Sequence, residues 1–329
     1  MKIIIVYTFL LTLTDLSMKL IKPFALLSLG LLAAAPAAAF ELAHSEGSLS
    51  LAAVPQRIVS FDLGVLDSLT ALDVAVAGVP KSLYEGPLAR YQNATVVGTL
   101  FEPDYNVLKK IDPDLIIASG RSQKAVPELE KLAATVSFTS DPNAFLKSFR
   151  ETNRALGKAF SKEEQAAAAL AKIDRNIESL HEANRGKTSA LLFVVKGNII
   201  PHVPGDRFGY AYELTGTESV LPAKDPNAPV PARPAPDSPE AKAAAEKRAQ
   251  AVAAVAAADP DWLIVLDRGA INGAERTAAD TLGRHAELSQ TKAYKEGRVY
   301  YVDPNGWYVI GGGLNNMNAI TSDLLSAMK

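Results

Sequence analysis

Residues 112–121 read DPDLIIASGR and residues 259–268 read DPDWLIVLDR. Each stretch sets Asp-Pro-Asp ahead of an apolar run and an arginine just past its end. A short apolar run bounded by turn residues reads as a buried strand. The echo predicts two halves built on one α/β plan. Open parallel sheets bind ligands beyond the carboxyl ends of their strands. Each half would thus aim one arginine, Arg121 or Arg268, into a shared cleft. The alternative is a chance match between repetitive strand sequences. The equal spacing of Asp, Pro, Asp and Arg favours the repeat.

The rest of the pattern agrees with that plan. Strand-like runs occur at Arg57–Phe61, Val74–Val79, Thr95–Val97, Leu115–Ala118 and Thr135–Phe138 in the first half. Ala190–Val195, Trp262–Leu266 and Val299–Val302 follow in the second, with a closing helix from Leu314 to Met328. Strands alternating with helices predict parallel α/β layers. Between the halves, Ser161 and Glu164 suggest a capping box. Ala166, Leu170, Ile173, Ile177 and Leu180 then share one helical face, and Gly186 is a natural stop. Such a helix would make a stiff connection; an ordinary surface helix is the alternative. Residues 223–238, AKDPNAPVPARPAPDS, read as an exposed extended excursion rather than a binding lip. The alanine-rich stretch Glu240–Ala258 reads as helix.

The chain has 329 residues, more than one ordinary core. A net charge of -2 gives no reason to expect a nucleic-acid partner. There is no cysteine, which removes disulfides, thiolate chemistry and a lipoprotein anchor together. Lys19 and Lys22, the apolar run Phe24–Leu32 and the small residues Ala35–Ala39 predict an export signal over residues 1–39, cleaved after Ala39. Met18 directly precedes this pattern, which makes residues 1–17 a candidate upstream extension. The alternative is a membrane anchor. Asp15, Lys19, Lys22 and Pro23 interrupt the apolar surface, and neither piece reaches the roughly 20 residues needed to span.

The four histidines, His44, His181, His202 and His285, have no partner at metal-ligand spacing. No nucleophile elbow, phosphate loop or zinc-protease motif occurs, so an enzyme is not expected. Gly311–Gly313 read as a tight turn before a helix, whose N-terminus could offer N–H groups to an anion. Arg207 lies in GDRFG, where flanking glycines allow a sharp turn that exposes the guanidinium. Arg121, Arg207 and Arg268 converging on one cleft would suit a large planar anion. The alternative is local pairing of each arginine with an acid, for example Asp206 or Asp267. Tyr308 could stack on an aromatic ligand or hold a ferric ion as phenolate; a core tyrosine is the alternative, and Trp307 beside it reads as core.

RIVSFDLGVLDSLTAL, VGTLFEPD, PDLIIASGR, GDRFG, PDWLIVLDRGAINGAER and VDPNGWYVIGGG, in this order across residues 41–329, resemble periplasmic catecholate-siderophore-binding proteins of the FatB/CeuE type. These are class III substrate-binding proteins of ABC importers. The resemblance implies an α/β fold of two Rossmann-like lobes joined by a single long backbone helix, with the ligand cleft between them. Residues 40–160 would form the N-terminal lobe, 161–186 the connecting helix and 187–329 the C-terminal lobe, carrying the proline-rich insertion 223–238. It implies a periplasmic protein, expected monomeric, with no intrinsic cofactor. Its ligand would be a ferric catecholate siderophore, passed to an ABC permease at the inner membrane. Haem, cobalamin or a hydroxamate siderophore is the alternative ligand. By motif, Arg121, Arg207 and Arg268 match the family's basic triad, and Tyr308 its iron-ligating tyrosine. Glu102 is a candidate permease contact. The family often carries a histidine as a second iron ligand. Here the corresponding region, near Glu246, is alanine-rich and has none, which favours a fully coordinated chelate held by charge and stacking.

Overall fold

The structure, a computed structural model, describes residues 39–228 and 234–329. The expected export signal lies outside these residues apart from Ala39. In chain order the strands and helices are β1 (Phe40–His44), β2 (Gly47–Leu51), β3 (Ile58–Ser60), α1 (Leu63–Ala71), α2 (Tyr105–Ile111), β4 (Leu115–Ala118), α3 (Val126–Leu129), β5 (Ala134–Ser137), α4 (Phe145–Ala159) and α5 (Glu163–Ala183). There follow β6 (Thr188–Val195), β7 (Asn198–His202), α6 (Tyr210–Thr215), β8 (Glu218–Ser219), α7 (Pro239–Ala258), β9 (Trp262–Asp267), α8 (Ala278–Arg284), α9 (Lys292–Lys295), β10 (Val299–Tyr301) and α10 (Leu314–Met328).

In the first lobe β3, β4 and β5 pair in parallel, in that order. The runs expected as strands at Val74–Val79 and Thr95–Val97 are instead single parallel bridges, Val59 to Gly78 and Val79 to Val96. Pro80 has no N–H to continue a ladder, and Gly98, at φ +116°, turns the second run away. In the second lobe the order is β10-β9-β6-β7, with β8 also on β6. β9 is parallel to β6 and to β10. The β6–β7 hairpin turns at Lys196 and Gly197, both at positive φ, the geometry that suits the right-handed twist of strands.

The two Asp-Pro-Asp stretches do the same job in each lobe. Asp112, at φ +52°, ends α2, and Asp259, at φ +47°, ends α7. Asp114 accepts N–H bonds from Gln56 and Arg57 at 2.8 Å, just ahead of β3. Asp261 accepts the N–H of Thr188 at 2.8 Å, at the start of β6. Each second aspartate thus clamps its own strand to the neighbouring one and fixes where the following arginine emerges.

α5 buries Ala166, Leu170, Ile173, Ile177 and Leu180, the face that the spacing predicts. The capping box does not form. Only Phe160–Lys162 separate α4 from α5, so Ser161 sits at φ +54° to turn the corner, and Lys162 takes the cap position. α5 packs on α4 and α10, and Asn176 reaches Thr321 and Ser322 of α10 at 3.1 Å. One apolar cluster runs from Ile58, Leu115 and Ile117 of the first sheet through this α5 face to Leu191, Phe193, Ile264 and Leu266 of the second. The β1–β2 hairpin adds Phe40 and Leu42 to it. Among the described residues no helix is long and apolar enough to cross a membrane.

Candidate functional site

Arg121 follows β4 in a tight turn held by Ser119 and Ser122. Its guanidinium reaches the segment Asn305–Ile310, one π-helical turn between β10 and α10. There Nη1 donates to the Val309 carbonyl at 3.0 Å and Nη2 to the Tyr308 carbonyl at 2.6 Å. Single π-turns are frequent at functional sites because they displace a side chain from the helical path.

Arg207 stands on a turn that Asp206 organises. The Asp206 carboxylate accepts N–H bonds from Val203 at 3.0 Å and Phe208 at 2.9 Å, and meets the His202 ring at 2.8 Å. Burial pushes this carboxyl up, but the His202 bond and charge and the backbone donors bring it below its ordinary value. Arg268 follows β9. The preceding Asp267 accepts from the N–H groups of Gly269, Thr277 and Ala278. Both arginines are exposed. The acids offered as local partners are therefore occupied by backbone donors. Among the described residues none of Arg121, Arg207 and Arg268 forms an ion pair.

Tyr308 is the meeting point. The Arg268 guanidinium lies 5.0 Å from its ring centroid and that of Arg207 5.6 Å. Phe208 stacks on the same ring at 5.4 Å with planes 16° apart. Cations over an aromatic face are held by the ring quadrupole. The ring is half-buried and lines a cleft of about 770 Å³ to which both lobes contribute. Arg121 and Arg207 line it as well, as do Asp62 and Lys224. Part of the remaining wall is aromatic: Phe145, Tyr210 and Trp307 are stacked in succession, at 4.3 and 5.4 Å.

The electrostatics follow from burial first and neighbouring charge second. Burial lowers the Arg121 value from its ordinary range, and Arg207 lowers it further, against the pull of Asp62 and Tyr308. Burial pushes the Asp62 carboxyl up, opposed by the Val65 N–H that it caps and by Arg121.

Gly311–Gly313 form the tight turn expected of them, at φ +76° for Gly311 and +87° for Gly313. The N-terminus of α10 beyond them is not open to an outside anion. Asp67 of α1 fills it, accepting the Asn316 N–H at 2.9 Å. Trp307 is core, 1% exposed. Glu102 is exposed, as is Glu246, and no residue of α7 lines the cleft. Among the described residues no three His, Cys, Asp or Glu side chains gather as a metal site. Sequence reasoning missed Asp62, Phe208 and Lys224. Phe208 was within reach, since it lies in GDRFG beside Arg207. Asp62 carries only the ordinary signal of a helix cap.

Two α/β lobes, a shared core and a cation-lined cleft between them define a cleft-type ligand-binding protein. Residues 58–305 match the family model described as periplasmic binding protein, and the chain belongs to that family. The family binds its substrates, which agrees with the expectation of a non-enzyme. The chain is similar to the petrobactin-binding protein YclQ of Bacillus subtilis, 28% identical over 281 residues, 84% of this chain and 83% of that protein. It is also similar to the ferric-anguibactin-binding protein FatB of Vibrio anguillarum, 24% identical over 292 residues, 86% of this chain and 85% of the other. The crystal structure of YclQ superposes with a TM-score of 0.74 at 26% identity, covering 88% of this chain and 99% of that one. The periplasmic catecholate-siderophore-binding protein VctP of Vibrio cholerae gives 0.72 at 25% identity, again covering 88% and 99%.

Proposed function

We propose that this chain is the substrate-binding protein of an ABC importer, capturing a ferric siderophore of the catecholate type and delivering it to an inner-membrane permease. The observation that carries the reading is the gathering of Arg121, Arg207 and Arg268 around Tyr308, none of them in an ion pair among the described residues. Unpaired guanidiniums crowded together repel one another, and a polyanionic chelate relieves that repulsion while accepting charge-assisted hydrogen bonds. Neutral hydroxamate chelates would leave it unrelieved, and relatives named for siderophores give haem or cobalamin no support. The relatives named for petrobactin, anguibactin and catecholates support the same class of cargo.

In this reading residues 1–39 are an export signal and the mature protein works in the periplasm as a monomer. Residues 40–160 and 187–329 are its lobes, and 161–186 joins them. The ligand is iron already wrapped by its chelator, held by the arginines and stacked on Tyr308. Exposed Glu102 is a contact for the permease. Glu102→Lys is expected to reduce iron uptake by cells and leave ferric-chelate affinity unchanged; equal uptake would remove it from the docking surface. The function itself is tested by titrating the purified protein with ferric tris-catecholate, reading quenching of Trp307 in the cleft wall.

A further inference from the structure

Lys224 is the first charged residue of the proline-rich excursion, and nothing in the basic triad includes it. Its backbone is fastened to the turn that presents Arg207: its N–H donates to the Pro204 carbonyl at 2.8 Å. The contact is close. Gly205, at φ +83°, has the Lys224 carbonyl 3.3 Å from where a Cβ would stand. Asn143 of the first lobe lies against the same glycine, its Oδ1 3.0 Å from that position. The root of the excursion is thus seated where the lobes meet, and the Lys224 side chain is exposed and lines the cleft.

Its charge has no acid to answer it among the described residues. The neighbouring Asp225 turns its carboxylate to the Asn227 N–H at 2.9 Å. Asp206, on the turn beside it, is held by His202 and backbone donors. The positive groups lining the cleft therefore include Lys224 besides Arg121 and Arg207, while Arg268 lies over the Tyr308 ring. A chelate core centred on Tyr308 would leave Lys224 without a partner. Lysine is a compact point charge on a flexible stem, suited to a peripheral anion of variable position rather than to a planar face.

From this placement we infer that Lys224 is a fourth cationic contact of the cleft and selects ferric chelates that carry a carboxylate outside the iron coordination sphere. The inference rests on the ferric-chelate reading of the cleft. Its test compares the ferric complexes of catechol and of 3,4-dihydroxybenzoate, which share a coordinating core and differ in a free carboxylate. Wild type and Lys224→Gln are titrated with each by tryptophan quenching, with Lys224→Arg as the conservative variant. The expected result is a loss of about tenfold in Lys224→Gln for the carboxylated complex, the size of one charged hydrogen bond. The plain catecholate complex should shift less than about twofold, and Lys224→Arg should keep the wild-type preference. Equal losses on both complexes, or no loss on either, would overturn the assignment while leaving the ferric-chelate reading in place. Failure of wild type to bind either complex would remove that reading, and this one with it.

Discussion

Tyr308 is held on three sides. Its carbonyl accepts from Arg121, and Arg207 and Arg268 flank its ring. That arrangement uses the ring face more than the phenol oxygen, and among the described residues no histidine lines the cleft to act as a second ligand. Tyr308→Phe is therefore expected to bind a ferric catecholate within about twofold of wild type, whereas Tyr308→Ala should lose about tenfold, the stacking contribution of one aromatic ring. Titration of both variants checks this. A large loss in Tyr308→Phe, with disappearance of a tyrosinate-to-iron absorption band, would make the phenol an iron ligand instead. At this scale much was legible. The positions of the arginines past β4 and β9 followed from the Asp-Pro-Asp echo, although of the two only Arg121 lines the cleft and Arg268 lies over the Tyr308 ring. Lys224 was not legible, because its role comes from a contact between its backbone and a turn 20 residues earlier.

Helices α1 and α10 meet through Asp67, which is 2% exposed. Its carboxylate accepts the Asn316 N–H, and Asn315 donates to its carbonyl at 3.2 Å. Gly313, at φ +87°, passes so close that a Cβ there would lie 2.4 Å from the Asp67 Oδ2. Burial raises the Asp67 value to about 6, against the lowering by these hydrogen bonds. The native state therefore holds this proton more tightly than the unfolded chain does. The contribution to stability is greatest below the ordinary value of 3.8 and is lost as pH rises through about 6. Asp67→Asn keeps an acceptor for Asn316 and abolishes the charge. It is expected to raise Tm at neutral pH by removing a penalty of up to about 3 kcal/mol, and to flatten the stability profile between those two values. A lower Tm at neutral pH would show that the carboxylate's attraction to the α10 N-terminus outweighs its burial. Element types were largely readable in advance, α5 and its buried face above all. The shortfalls have local causes: Pro80 and Gly98 cut two strands to single bridges, and the three-residue corner before α5 displaced the capping box. The β1–β2 hairpin and the π-turn at Tyr308 were missed because their order comes from packing rather than from a strong local pattern.

Across the whole molecule, the two sheets are cemented by one core through α4, α5 and α10. Arg121 adds a strap from the first lobe to the main chain of the π-turn. Such a body resists wide opening, because separating the lobes would expose part of that continuous apolar cluster at about 25 cal/mol per Å². Recognition then has to come from a site that is in place before the ligand arrives, and Arg207 and Arg268 are its charges with no ion pair or hydrogen bond among the described residues. The direct measurement is the ferric tris-catecholate titration of wild type against the double variant Arg207→Gln, Arg268→Gln. Among the described residues these two exposed side chains carry no internal hydrogen bond that their loss would break. The account predicts quenching with tight binding in wild type and a loss of about 100-fold or more in the variant, from roughly 1.5–3 kcal/mol per charged hydrogen bond. Equal affinity in the two proteins would contradict it.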